Sequence, residues 1–282
     1  MTAGKLTALV LAGALAVAGC GEERSRGHEL VVGSRLGSEW VLLGNLYAGA
    51  LRSYGFAARV EPVPDPLTKL DSGVVSVVPA LTGEVLQTFQ PGATVRSDQQ
   101  VYRAMVGALP EGIAAGDYTT AAEDKPALAV TQATAKAWGG TDLSVLPRHC
   151  KGLVLGSVTG ARTPATVSRC RLPDPRDFRD DPTMFAALRS GQVAVAWTTT
   201  AAPDVPADVV VLADGKPALV QAENVVPLYR RNELTDRQLL AINEVAGVLD
   251  TAALVEMRRQ VAKGADVQAV ADGWLAEHPL GR

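Results

Sequence analysis

Short apolar runs alternate with amphipathic helical segments along most of this chain. Leu30-Val31-Val32 is a strand candidate, and residues 38–54 follow with apolar side chains at helical spacing. Two further strand candidates, residues 56–63 and 74–78, are separated by a Pro-rich turn. This alternation predicts an α/β fold with a largely parallel sheet.

The same pattern begins again near residue 127. The predicted elements are a strand at 127–130, a helix at 132–138, a strand at 153–155, a helix at 182–190 with Asp181 as N-cap, and a strand at 193–197. Residues 209–211 and 225–226 are expected to carry the chain back to the first series, which ends in helices. A capping box at residues 235–238 predicts the start of the helix that runs to Leu249. We therefore predict lobe I from residues 29–126 and 220–282, lobe II from residues 127–219, and a hinge at the two crossings.

The N-terminus has the pattern of an exported lipoprotein. Lys5 precedes an apolar run, residues 6–18, that is too short to span a bilayer comfortably, and small residues lead directly to Cys20. We expect residues 1–19 to be a signal peptide, Cys20 to carry the lipid, and residues 20–28 to form a tether. This predicts a protein anchored at the extracytoplasmic face of the cell membrane. The alternative is an ordinary secretory signal with an incidental cysteine.

Cys150 and Cys170 form an even pair once Cys20 is assigned to the lipid. An exported protein meets oxidising conditions, so we predict a disulfide between them. Two independent buried thiols are the alternative. No matching histidine spacing accompanies the pair, so we predict no metal site there.

The charge balance and the histidines limit the function classes. A net charge of −3 and a pI near 5.7 argue against a nucleic-acid partner. A hydrolase would need a nucleophile near a base, but His28, His149 and His278 occupy positions from which no triad assembles, and the chain has no Gly-x-Ser-x-Gly elbow. The acidic stretch 174–181 lacks the spacing of a calcium site. We predict a protein that is not an enzyme and needs no cofactor.

Four segments follow one another between about residues 29 and 280: VGSRLGSEW at 32–40, a stretch from LDSG at 70–73 through PALTG at 79–83, AEDKPALAV at 122–130 and QAENVVP at 221–227. Together they resemble the osmoprotectant-binding proteins of ABC importers, which recognise glycine betaine, choline, carnitine or proline betaine. The last two match the family's interlobe crossings. The resemblance implies a two-lobed periplasmic-binding-protein fold, type II-like, acting as a monomer. It also implies a small-molecule solute and an importer permease with its ATPase as partners.

The departures from the family concern its cation cage, in which aromatic faces surround a quaternary ammonium group. Gly37 and Trp40 stand where the family has Phe and Gln, and Leu81 replaces a Tyr. Aromatic residues make up only 5% of the chain. We therefore expect weaker binding of simple quaternary ammonium compounds than in relatives with a full cage.

Open α/β sheets bind ligands beyond the carboxyl ends of their strands, and this places the expected site in the interlobe cleft. The candidate ligand-binding residues are Ser34, Gly37, Ser38, Glu39, Trp40, Leu81, Thr82, Tyr118, Ser157, Trp197, Thr198, Thr199 and Asn224. For the three aromatic residues in this set, an ordinary core or boundary position is an equally good interpretation.

Two alternatives to osmoprotectant transport remain at this point. The same fold could bind a non-cationic solute, such as a polyol, a sugar or an aromatic compound. It could also serve as a sensory or interaction lipoprotein without transport, because losing the aromatic cage costs nothing when no cation is bound.

Overall fold

The structure is a computed structural model that describes residues 29–281. The predicted signal peptide, the lipid-bearing Cys20 and the tether up to residue 28 lie outside the described residues.

A five-stranded mixed sheet organises the first lobe, in the order β2-β1-β3-β12-β4. Its strands are β1 (Leu30–Ser34), β2 (Ala58–Pro62), β3 (Val77–Leu81), β4 (Ile113–Ala115) and β12 (Val225–Arg230). β1 runs parallel to β2 and β3, whereas β12 is antiparallel to β3 and β4. The expectation of a largely parallel sheet was wrong, because the returning chain enters β12 in the opposite direction.

A second five-stranded sheet has the order β11-β5-β10-β6-β9. Its strands are β5 (Pro126–Thr131), β6 (Leu155–Val158), β9 (Arg176–Phe178), β10 (Val195–Thr199) and β11 (Val209–Val211). β5 pairs antiparallel with both β10 and β11. The sequence analysis assigned residues 209–211 to a crossing. They are instead an edge strand of this sheet. A small hairpin of β7 (Thr166–Val167) and β8 (Cys170–Arg171) lies beside it.

Two segments connect the sheets, one before β5 and one before β12. They contact each other directly, because Glu123 and Asn224 form an antiparallel bridge and the Asp124 N–H donates to the Glu223 carbonyl at 2.8 Å. Paired crossings of this kind allow two lobes to move about a short shared axis.

The helices cover both sheets. They are α1 (Ser38–Ser53), α2 (Pro66–Asp71), α3 (Thr82–Phe89), α4 (Asp98–Ala108), α5 (Gln132–Trp138), α6 (Asp181–Arg189), α7 (Asp236–Val248), α8 (Thr251–Ala262) and α9 (Val267–Glu277), with a 3₁₀ turn at Leu143–Arg148. Residues 42–51 of α1 are all buried, because the helix lies between the first sheet and helices α7 and α9. This central position fixes the start of α1, which enters the cleft described below.

Helix caps account for several of the observed boundaries. Thr235 opens α7 with the predicted capping box, in which Gln238 bonds back to the Thr235 N–H. The N-cap of α6 is Asp180, whose carboxylate accepts from the Thr183 N–H at 2.8 Å, and not Asp181 as predicted. Asp181 is thereby the first residue of the helix, and its side chain is available for the cleft. Within residues 29–281, no single helix is long and apolar enough to cross a membrane.

Candidate functional site

A cleft of about 400 Å³ lies between the two lobes, where strands of both sheets end. The start of α1 and the junction of β3 with α3 form one wall, and the loop after β6, the start of α6 and the end of β10 form the other. The crossing segments close the base. The lining residues are Arg35, Glu39, Trp40, Leu81, Glu84, Asp124, Pro126, Val158, Gly160, Ala161, Arg162, Asp181, Trp197, Thr198, Thr199, Ala202, Pro203, Glu223 and Arg258.

Six of the residues selected from the sequence line this cleft: Glu39, Trp40, Leu81, Trp197, Thr198 and Thr199. Two more, Gly37 and Ser38, line an adjoining pocket of about 230 Å³, which shares Glu39 and Arg258 with the cleft. Gly37 has φ +107°, a backbone conformation that favours glycine and turns the chain into α1.

Four of the selected residues are buried behind the cleft. Thr82 accepts a hydrogen bond from the Asn224 N–H at 3.1 Å, and the Asn224 amide donates to the Thr119 carbonyl at 2.9 Å. Ser157 donates to the carbonyl of Val158, and Ser34 is fully buried at the end of β1. Thr82 and Asn224 join the start of α3 to the return crossing, and none of the four side chains lines the cleft.

Tyr118 lies away from this cleft. Its ring contacts that of Tyr102 in a tilted arrangement, with the centroids 4.6 Å apart and the planes at 34°, and the two rings line a separate groove together with residues of α7. The sequence placed Tyr118 near a crossing correctly, but the side chain turns towards α4. No periodicity in such a short segment indicates the direction of the ring.

The charged residues of the cleft were the part that the sequence analysis largely missed. Five carboxylates line it, from Glu39, Glu84, Asp124, Asp181 and Glu223, against three guanidinium groups, from Arg35, Arg162 and Arg258. Four of these eight residues, Arg35, Asp124, Glu223 and Glu39, fall inside the segments that carry the family resemblance. Their position in those segments was the available signal, but only Glu39 was selected from it.

A chain of ion pairs crosses the cleft from lobe to lobe. Arg35 contacts Glu84 at 2.6 Å, and Arg162, on the loop after β6, reaches Glu84 at 3.8 Å and Glu223 at 2.8 Å. Arg162 belongs to the second lobe, whereas Glu84 lies on α3 and Glu223 on the return crossing. The bridge therefore joins the two walls, and any opening of the cleft has to break it.

Glu223 is held tightly at the base of this bridge. Its carboxylate accepts from the Glu84 N–H at 2.8 Å, and a Cβ added at Gly83 would lie 2.6 Å from the Ala222 carbonyl oxygen. Only glycine allows α3 to approach the crossing so closely. Burial raises the pKa of Glu223 to about 7, which outweighs the lowering effects of Arg162 and of the Glu84 N–H.

A second buried pair fixes α8 against the cleft. Arg258 donates to Asp124 at 2.7 Å and to the Ala201 carbonyl at 3.1 Å, and its side chain is only 7% exposed. The other carboxylate oxygen of Asp124 and Nε of Arg258 have no hydrogen-bond partner among the described residues. The pair links the outgoing crossing to α8.

Glu39 and Asp181 differ from the other cleft carboxylates because neither has an ion-pair partner within residues 29–281. Desolvation raises the pKa of both carboxyl groups, and the negative charges of Asp124 and Asp181 raise that of Glu39 further, although Arg258 and Arg35 lower it. Glu39 is nevertheless reachable from solvent at the cleft mouth. These two groups are acceptors that an incoming solute can meet.

The indole ring of Trp40 is covered by a side chain of the protein itself. The guanidinium carbon of Arg35 lies 4.5 Å from the centroid of the Trp40 ring, which is the geometry of a cation–π contact. Trp197, on β10, lines the opposite side of the cleft and is only 3% exposed.

Cys150 and Cys170 are joined by a disulfide, as the sequence predicted. The bond ties the segment after the 3₁₀ turn to β8, and both cysteines contact the core of the second lobe. It lies outside the cleft lining and supports the fold of the wall that carries Arg162.

Hydroxyls, indole rings and unpaired carboxylates are groups that bind a small polar solute. The comparisons with known proteins agree. Residues 178–277 match the family described as the substrate-binding domain of the ABC-type glycine betaine transport system. No curated protein sequence matches the chain significantly.

Solved structures share the fold over nearly the whole described chain. Apo YehZ from Escherichia coli is 19% identical, with a TM-score of 0.69, and the match covers 89% of this chain and 99% of that one. A glycine betaine/carnitine/choline ABC transporter protein is 16% identical, with a TM-score of 0.73 and coverage of 89% and 98%. A choline-binding protein in complex with choline is 15% identical, with a TM-score of 0.54 and coverage of 89% of both chains.

These likenesses confirm the two-lobed periplasmic-binding-protein fold, and the family match confirms the resemblance that the sequence segments carry. The matching family consists of binding domains and not of enzymes. Residues 178–277 are therefore similar to the substrate-binding domain of an ABC-type transport system, and the chain has the two-lobed fold of such binding proteins.

Proposed function

We propose that this protein captures a small polar solute of the osmoprotectant or quaternary-amine class in the interlobe cleft. It then delivers the solute to the permease and ATPase of an ABC importer. The observation that carries the proposal is the charge of the cleft. Its three guanidinium groups are paired with carboxylates, whereas Glu39 and Asp181 are not paired within the described residues. A surplus of negative charge in a confined cleft favours a solute that carries positive charge.

The size of the cleft and its position agree with this function. A volume of about 400 Å³ is within the range of small-molecule sites. Both lobes contribute side chains, so a bound solute would contact Glu39 and Trp40 on one wall and Asp181 and Thr198 on the other. Contacts to both walls stabilise the closed arrangement relative to the open one, which is how such proteins signal occupancy to a permease.

The cellular setting forms part of the proposal. A lipid at Cys20 would hold the monomeric protein at the extracytoplasmic face of the cell membrane, beside the permease. Metabolic labelling with a radioactive fatty acid tests this anchor, and a Cys20→Ala variant that still carries the label would contradict it.

Ligand-dependent stabilisation is the direct test of solute binding. The melting temperature of the purified full chain should rise with at least one compound from a panel of betaines, choline, carnitine, other small amines, polyols, sugars and aromatic compounds. We expect the stabilising compounds to be amines. Stabilisation by neutral polyols or sugars alone would contradict the proposed solute class, and no stabilisation by any compound would contradict solute binding.

Adjacent aspartates provide a matched control for the site. Asp181→Asn removes an unpaired cleft carboxylate and should weaken amine binding about tenfold, because a charge-assisted contact is replaced by a neutral one. Asp180→Asn keeps a good N-cap outside the cleft lining and should leave the affinity unchanged. Equal effects of the two substitutions in calorimetry would argue against the assigned cleft.

A further inference from the structure

The Trp40 ring offers the strongest cation-binding surface of any side chain type, but one face of it is already used. The Arg35 guanidinium lies over the ring at 4.5 Å, within the distance at which the ring quadrupole attracts a cation. A trimethylammonium group cannot occupy the same face while Arg35 remains there, and a second positive charge beside the guanidinium would be repelled.

Arg35 is not a loosely held surface side chain. Its guanidinium also contacts the Glu84 carboxylate at 2.6 Å, and this ion pair holds the side chain although 37% of it is exposed. Glu84 in turn belongs to the bridge with Arg162 and Glu223. A quaternary ammonium ligand that displaced Arg35 would therefore have to break both the ring contact and this ion pair.

We propose that Arg35 is a specificity-determining residue that occupies the cation-binding face of Trp40 and selects against fully methylated ammonium groups. The proposal rests on the proposed function and narrows its solute class: the cleft binds cationic amines, and amines that keep N–H donors bind more tightly than quaternary ones. Glu39 and Asp181 remain as the groups that recognise positive charge. Carboxylates accept hydrogen bonds, so they favour ammonium groups that carry N–H donors over trimethylated ones, which have none.

Ethanolamine, N,N-dimethylethanolamine and choline share one carbon skeleton and differ in N-methylation, so they isolate this effect. Calorimetry with the full chain should give affinities that fall along this series for the natural sequence. In the Arg35→Ala variant the Trp40 ring is uncovered, and the affinity for choline should rise roughly tenfold, with a much smaller change for ethanolamine. The selectivity between the two end members should therefore move towards choline.

Two further variants keep the test decisive. Arg35→Gln removes the charge but keeps much of the side-chain volume, and it should also move the selectivity towards choline. Circular dichroism and the melting temperature verify that each variant is folded. Arg162→Ala removes a cleft guanidinium that covers no ring. The affinity of this variant for choline should not rise. The comparison therefore distinguishes the effect of uncovering the ring from the effect of removing a positive charge from the cleft.

Three results would overturn the proposal: tighter binding of choline than of ethanolamine by the natural sequence, no gain for choline in either Arg35 variant, or an equal gain in Arg162→Ala. The proposed function fails separately, when no compound of the wider panel stabilises the natural sequence. If a panel amine binds but the Arg35 variants leave the selectivity unchanged, only the role of Arg35 is wrong.

Discussion

Arg35 and Trp40, five residues apart in the chain, meet across the turn into α1, with the guanidinium carbon 4.5 Å from the ring centroid. The ring therefore lies in the cleft but binds a cation supplied by the protein. Because Arg35 covers the ring, the groups of the cleft that remain free to attract a cationic solute are carboxylates.

The buried pair of Arg258 and Asp124 should be important for stability. Arg258→Met leaves the Asp124 carboxylate buried without its partner, and we expect the free energy of unfolding to fall by about 3–5 kcal/mol in denaturant titrations. The double variant with Asp124→Asn should recover much of this loss. As a control, Arg59→Met breaks exposed pairs with Glu29 and Glu61, which solvent screens, and should leave the free energy of unfolding nearly unchanged. Equal losses for Arg258 and Arg59 would contradict the assignment.

Glu223 should make stability depend on pH. Its folded pKa, raised by burial to about 7 from 4.5, means that the folded state binds more protons than the unfolded state between these values. The contribution of Glu223 is fully present below pH 4.5 and is lost as the pH rises through 7, by roughly 3 kcal/mol at most. Glu223→Gln removes this dependence. Unfolding curves at several pH values should show the natural sequence losing stability relative to the variant over this window, and parallel profiles would contradict the prediction.

The cap of α6 can be tested separately from the cleft. Asp180→Ala removes the carboxylate that accepts from the Thr183 N–H and should lower the free energy of unfolding measurably. Asp181→Ala removes no cap contact, so its main effect should be on solute binding. Thermal unfolding of both variants measures the difference. A larger stability loss for Asp181→Ala than for Asp180→Ala would indicate that Asp181 is the N-cap, as the sequence analysis predicted.

The Cys150–Cys170 disulfide should stabilise the second lobe. It joins residues 20 apart, and the loss of loop-closure entropy in the unfolded chain corresponds to about 3 kcal/mol. Mass analysis after alkylation should find both thiols protected until reductant is added. Two freely alkylated thiols in the unreduced protein would contradict the bond, and an unchanged melting temperature after reduction would contradict its stabilising role.

The fold was largely accessible from the sequence because its elements depend on local signals. The Thr235 capping box and the helix spacing after Ser38 predicted α7 and α1 well, since caps and periodicity act within one or two turns. The direction of β12 could not be predicted from the sequence, because strand orientation depends on how the chain returns through the crossing. The edge position of residues 209–211 was missed for the same reason.

The cleft could be predicted only in part from the sequence. Trp40 and Trp197 could be placed there, since strand ends and helix starts converge at one edge of an α/β sheet. The ion pairs of Arg162 with Glu223 and of Arg258 with Asp124 join residues 61 and 134 apart in the chain, and no local pattern encodes them. The direction of the Tyr118 ring likewise depends on its contact with the Tyr102 ring and not on its neighbours in sequence.

A crystal structure of the full chain with a stabilising amine from the panel tests the central claim most directly. We predict that the solute lies between the lobes, with its ammonium group contacting the carboxylates of Glu39 and Asp181 while Arg35 remains over Trp40. A solute bound in the groove beside Tyr102 and Tyr118, or one that displaces Arg35 to stack on the Trp40 ring, would contradict the account.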